Sequence, residues 1–166
     1  AQRGNARLPI KSLQQREFER LLLRMQRPGL RVHRHTPARR VRIVAAGHEL
    51  ASHGYEHVRA SDQRYGQFLA DIRLAKAVLE DIAGSEVKGY RAPSFSIGEA
   101  NVWAFDCIVE AGYRYSSSVY PIRHDHYGMP DSPRFAHEIR PGLFELPIAT
   151  VRGWNSNWPA GGGGYF

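Results

Sequence analysis

Two histidines stand four residues apart in "SHGYEH", His53 and His57, around a glycine and an aromatic. On a loop running into a helix, that spacing can turn both imidazoles toward one metal ion. A catalytic zinc takes three protein ligands and keeps a position for water. Two imidazoles are therefore an incomplete set, and H-x-x-x-H by itself also describes ordinary polar loop residues. A second pair, His124 and His126 in "HDH", has poorer geometry, because loop residues two apart need not point the same way. Cys107 is the single cysteine, which excludes an internal disulfide and a cysteine-based zinc cluster. A bound metal must rest on histidine and carboxylate.

Other chemistries find less support. Serine hydrolysis needs a nucleophile with a base and an orienting carboxylate. The chain has no G-x-S-x-G elbow, and Ser94 in "RAPSF" follows a proline that fixes a loop. The glycines of "AGGGGYF" open no helix, so neither a P-loop nor a dinucleotide fingerprint is present.

The elements that must position these groups read as an alternation. "HELAS" reads as a short buried strand with His53 at its C-terminal end. A helix is expected over 61–83, with Tyr65, Phe68, Ile72, Ala75, Leu79 and Ile82 on one face and Gly84 as its C-terminal cap. "VKGY" then reads as a strand leading into Arg91. Ser96 and Glu99 have capping-box spacing before a helix to Ala111, and "YRYSS" gives the next strand. Strands alternating with helices imply βαβ units and a parallel sheet, whose functional groups gather where the strands end. His53 and His57, the 91–95 segment and the 116–120 segment should therefore meet at one mouth. Beyond Tyr120 the sequence is loop-rich, and only "LFELPIATV" (143–151) reads as a strand. The terminal "WNSNWPAGGGGYF" reads as cut, with no cap or polar tail.

With 166 residues the chain is long enough for one domain, which buries roughly 70% of its unfolded surface. No apolar run approaches the ~18 residues that span a bilayer, so no membrane segment is expected and the chain reads as soluble. The formal charge of +7 is unevenly spread. Residues 1–42 hold 12 Lys/Arg against Glu17 and Glu19, a balance of +10, whereas the remainder holds 11 basic and 14 acidic residues, a balance of −3. The excess thus belongs to a short N-terminal segment and argues against nucleic acid as the chain's general partner. Within that segment a helix is expected over 12–26, with Phe18, Leu21, Leu22 and Met25 on one stripe and Pro28-Gly29 ending it. The basic stretch after it reads as a solvated linker, a polyanion-binding arm or a frame-shifted sequence.

Taken together, "GHELASHGYEH", "GYRAPSFSI" and "AGYRYSSSVYPIRHDHYGMPDSPRF" with "LFELPIATVR" resemble the polysaccharide deacetylases of the NodB-homology (carbohydrate esterase 4) family. The last two resemble its subgroup linked to exosortase and exopolysaccharide gene clusters. The resemblance covers 42–166, read as a partial deacetylase domain, and leaves residues 1–41 as a basic segment outside it, disordered or frame-shifted. It implies an α/β fold, a truncated, partial (β/α) barrel of the NodB-homology type with mostly parallel strands and outer helices. It also implies metal-dependent removal of N-acetyl groups from an amino-sugar polysaccharide. By position, His53 and His57 would be metal ligands, with zinc the divalent metal. Arg91 would orient a catalytic aspartate, and the Ser94 N–H would donate to the oxyanion. Phe95, Tyr120 and Trp154 would contact the sugar.

The sequence also departs from the pattern. The T-F-D-D motif that supplies base and third ligand is missing, since no Asp-Asp pair occurs, and Ser116 stands where the subgroup carries aspartate. A weakly held metal and an impaired or inactive enzyme are therefore expected, with a non-catalytic carbohydrate-binding pseudoenzyme or a gene fragment as the alternative.

Overall fold

The computed structural model describes residues 44–161, apart from Asp125 and Asn155. The helix expected at 12–26 and the basic segment lie outside these residues. Two helices carry the core, α1 (Tyr65–Ala83) and α2 (Trp103–Glu110). Among the described residues six strands accompany them: β1 (Gly89–Tyr90), β2 (Tyr115–Ser116), β3 (His137–Arg140), β4 (Leu143–Glu145), β5 (Thr150–Gly153) and β6 (Ser156–Pro159). None of the described helices is long and apolar enough to cross a membrane.

The periodicity of α1 does what it implies. Phe68, Leu69, Ile72 and Ala75 are buried, and with Ala104, Phe105, Cys107 and Ile108 of α2 they close over Val87, Tyr90, Val119 and Leu143 from the sheet side. Burying a side chain of the Phe or Ile class stabilises by roughly 1.5–3 kcal/mol, so this contiguous cluster is the main source of cohesion. Phe68 meets the rings of both Tyr90 and Trp103 edge-on, at 5.9 Å in each case. Helix α1 ends at Gly84, whose N–H donates to the Glu80 carbonyl at 2.8 Å, as the cap residue implied.

The main sheet has the order β1-β2-β4-β3, with β1, β2 and β4 parallel and β3 antiparallel to β4. It is an open, mostly parallel α/β sheet among the described residues, with no closed barrel. At β1 the backbone approach is close: a Cβ on Gly89 would collide with the Tyr115 ring lying over it. A separate antiparallel hairpin joins β5 and β6.

Several local expectations are corrected. "HELAS" is not a strand but contributes a single parallel bridge, Ser52 to Tyr90, and Gly54 turns the chain away just beyond it at φ 80°. The helix expected from residue 61 begins at Tyr65, after a 3-10 turn at Ala60–Asp62. The Ser96/Glu99 capping box does not form: Ser96 Oγ accepts the Ala60 N–H at 2.8 Å and donates to the Pro93 carbonyl at 2.6 Å. Asn101 caps the Gly98 N–H instead, at 2.8 Å. "LFELPIATV" is two strands, β4 and β5, interrupted around Pro147. The loop-rich region hides β3, which pairs locally with β4 across a bulge, and the C-terminal segment contains β6.

Candidate metal-binding and oxyanion site

Sheet register brings the site together. Ser52 bridges Tyr90, Tyr90 pairs with Ser116, and Ser116 pairs with Glu145. Four segments thus reach one level, and the residues that follow, His53, Arg91 and Ser117, leave the sheet side by side. The convergence expected from strand ends is what the structure has.

The imidazoles of His53 and His57 face each other edge-on with ring centroids 4.9 Å apart, and both residues are exposed. His53 Nδ1 lies 2.7 Å from the Arg91 carbonyl oxygen. A carbonyl only accepts, so Nδ1 carries the proton and Nε2 keeps its lone pair free, the arrangement that orients a metal-ligating histidine. Partial burial lowers the His53 pKa, the Arg91 carbonyl opposes this, and the nearby charges of His57 and Arg91 lower it further. The net lowering favours the neutral ring, the form in which imidazole binds a metal. The donor chemistry fits a divalent ion at two positions. Among the described residues no His, Cys, Asp or Glu completes a set of three.

The loop between the histidines is held by a residue that periodicity alone does not single out. Asp71 of α1, only 8% exposed, accepts the Tyr55 N–H on Oδ2 at 3.0 Å and the Glu56 N–H on Oδ1 at 2.9 Å. Burial raises its pKa and the two N–H donors oppose that rise.

Arg91 and the 91–95 loop are fixed from the sheet. The Arg91 guanidinium donates to Ser117, through Nε to the carbonyl at 2.9 Å and through Nη2 to Oγ at 2.7 Å. The Ala92 N–H donates to Ser118 Oγ at 3.0 Å. Fully buried Glu145 stands beneath this arrangement, its Oε1 accepting the Ser118 and Val119 N–H groups at 2.8 and 2.9 Å. Glu145 Oε2 has no partner among the described residues. Burial raises the Glu145 pKa, and the N–H bonds from Val119 and Ser118 oppose that rise. Ser116 is buried with its hydroxyl 2.8 Å from that of Ser118.

Ser94 and Phe95 both adopt left-handed backbone conformations, φ 55° and 50°, which cost non-glycine residues of order 1–3 kcal/mol each. The turn leaves Ser94 exposed. Phe95 packs on Tyr120 at 5.4 Å and on Tyr127 at 5.9 Å. Tyr120 is buried, with its hydroxyl donating to the Gly161 carbonyl at 2.6 Å, so it backs Phe95 from inside. Trp154 lies fully exposed at the β5–β6 turn, and none of these ring contacts reaches it. His124 stacks on Tyr127 at 3.8 Å and its Nδ1 accepts the His126 N–H at 3.2 Å, so the "HDH" pair is engaged locally. A separate concavity is lined by Arg134, Phe135, Leu146, Pro147 and Thr150, and no predicted site residue borders it.

No curated protein matches the chain. The structure resembles a "putative polysaccharide deacetylase from Mycobacterium smegmatis" at 30% identity and TM-score 0.56, covering 74% of this chain and 38% of that one. It shares its fold with Puue allantoinase at 22% identity and TM-score 0.50, covering 73% of this chain and 36% of that one. The chain thus spans less than half the length of these two structures. A domain of unknown function, DUF3473, matches residues 117–166. The polysaccharide deacetylase family model matches residues 10–116, reaching into the basic segment and ending on the strand that aligns Ser116 with the rim. With the histidine pair, the arginine loop and the parallel strands all inside or beside that match, the chain belongs to the polysaccharide deacetylase family.

Proposed function

We propose that this chain carries the imidazole and oxyanion elements of a metal-dependent deacetylase that removes N-acetyl groups from an amino-sugar polysaccharide of the exopolysaccharide type. The observation that carries the reading is the His53 and His57 pair, 4.9 Å apart, with the His53 Nδ1–H bound to the Arg91 carbonyl and its Nε2 left free. His53 and His57 would hold the ion, zinc by the nature of the donors. When bound, such an ion polarises a carbonyl and acidifies water.

The remaining work falls to the chain's own groups. The Ser94 N–H, presented by the left-handed turn, donates to the oxygen that gains charge as the amide carbon becomes tetrahedral. A donor so placed is worth about 2.7–4 kcal/mol in the transition state. Phe95, set by Tyr120 and Tyr127, offers an apolar edge to the sugar. Arg91 is held by Ser117, and among the described residues no carboxylate pairs with it, so the anion it would orient in the family pattern is not among its described partners. Without the Asp-Asp pair there is no dedicated carboxylate to take the proton from water. That deficit is worth about 10²- to 10⁴-fold in rate, and the loss of a carboxylate ligand weakens the hold on the metal. On this reading the chain is impaired or inactive.

The test is acetate release from N-acetylglucosamine oligomers with added zinc or cobalt, comparing this chain with one extended by a segment ending in T-F-D-D. Turnover that appears only in the extended chain, and disappears with His53→Ala, supports the proposal. Metal-dependent turnover by the unextended chain would show that another group serves as base. A second reading, a sugar-binding module, draws on Trp154 and Trp158, which are 102% and 62% exposed on the β5–β6 hairpin. Oligosaccharide binding that ignores metal and is lost with Trp158→Ala favours it.

A further inference from the structure

We propose that Asp71 is a positioning residue that fixes His53 and His57 relative to one another by clamping the backbone between them. The inference rests on reading those histidines as metal ligands, but its geometric part stands independently. Asp71 lies beside Phe68, Leu69 and Ile72 on the buried side of α1, where packing alone favours an apolar residue. A carboxylate buried there is costly unless each oxygen is paired. Both are paired, one to the Tyr55 N–H and one to the Glu56 N–H, the two residues lying between Gly54 and His57.

The loop needs such a clamp. Its flanks, Gly54 at φ 80° and His57 at φ 57°, are both left-handed, and for histidine this is an uncommon conformation that surrounding structure must impose. The fit is close: a Cβ added at Gly54 would sit 3.0 Å from Asp71 Oδ2. Because the clamped N–H groups lie between the two ligands, releasing them moves one imidazole against the other. His53 keeps a second anchor, the Arg91 carbonyl. His57 has no comparable side-chain hydrogen bond among the described residues, so it should move more.

The experiment compares the wild-type chain with Asp71→Asn and Asp71→Ala by NMR. Asparagine fills the same space and retains one acceptor but presents an NH₂ group to the other N–H. Three signals are read: amide exchange at Tyr55 and Glu56, the nuclear Overhauser contact between the His53 and His57 rings, and imidazole shifts during zinc titration. The expected result is about tenfold or faster exchange at those two amides while the core amides of α1 stay protected. The ring-to-ring contact should be lost, and zinc should bind about 10- to 100-fold more weakly, with Asn intermediate between wild type and Ala. An unchanged ring-to-ring contact and zinc affinity in both variants overturn the proposal. If wild-type imidazoles ignore zinc while the ring contact still disappears in Asp71→Asn, the metal reading fails and the positioning role stands.

Discussion

The histidine loop, 53–57, and the arginine loop, 91–95, leave the sheet at the same level but are fixed by different layers. Between its two histidines the first hangs on one carboxylate from a helix, Asp71, through two N–H bonds, with His53 itself also tied to the Arg91 carbonyl. The second is held by its neighbours in the sheet: Ser117 takes Arg91, Ser118 takes the Ala92 N–H, and Glu145 holds Ser118 and Val119 in turn. A loop anchored in sheet register shares its fate with the sheet. A loop anchored by one side chain can lose its geometry while the fold survives. The pair proposed to hold an ion is thus the one whose support can be altered by a single substitution.

Glu145 tests the sheet-held side most severely. Glu145→Ala leaves two buried N–H donors unpaired and opens a cavity, and unpaired buried donors cost about 1–3 kcal/mol each, so about 2–6 kcal/mol is expected in urea denaturation. Glu145→Gln keeps an acceptor and separates charge from hydrogen bonding. Because burial raises the folded-state pKa of Glu145 above its ordinary 4.5, the native state binds the proton more tightly than the unfolded chain. Its contribution is therefore most favourable below pH 4.5 and declines as pH rises through the raised value. Relative to wild type, Glu145→Gln should gain stability as pH rises through that window and then level off. A stability difference that is flat with pH would show that the carboxylate does not titrate there.

The helix-held side is probed next by Gly54→Ala. The left-handed backbone costs an L-residue roughly 1–2 kcal/mol, and the new Cβ presses on Asp71 Oδ2. Expected are a loss of about that size in chemical denaturation and a weakened His53 to His57 ring contact, with the Arg91 loop undisturbed. If the arginine loop responds equally, the two supports are not separate. The smallest effect is expected from Ser117→Ala. It removes the Oγ bond to Arg91 and leaves the carbonyl bond, so the cost at this half-buried position is about 0.5–1.5 kcal/mol, read by the same denaturation.

Much of this was legible in the residues. The stripe of Phe68, Ile72 and Ala75 required a helix with one buried face, and the alternation of strands with helices required parallel pairing with a common rim. Asp71 was not legible as a support. In sequence it is one polar residue in a helix, and its partners lie 15 and 16 positions earlier. Glu145 was equally hidden, because alternation in "LFE" does not say which face a strand will bury. Ser96 shows the opposite failure, since its spacing to Glu99 suggested a local cap that a partner 36 residues away displaced.

By itself, then, the sequence determined which groups were available: two imidazoles at ligand spacing, an arginine and a proline-set turn at a strand end, and no Asp-Asp pair to accompany them. Residue type and short-range periodicity are local properties, and they suffice to name elements and candidate chemistry. Only the tertiary structure decided that His53 is the Nδ1–H tautomer, that Asp71 and Glu145 are buried on backbone N–H groups, and that Ser117 takes the Arg91 guanidinium. Those outcomes depend on sheet register and on the seating of α1, which set the surroundings of each polar group. A hydrogen bond exists only where two distant segments come within about 3 Å of one another.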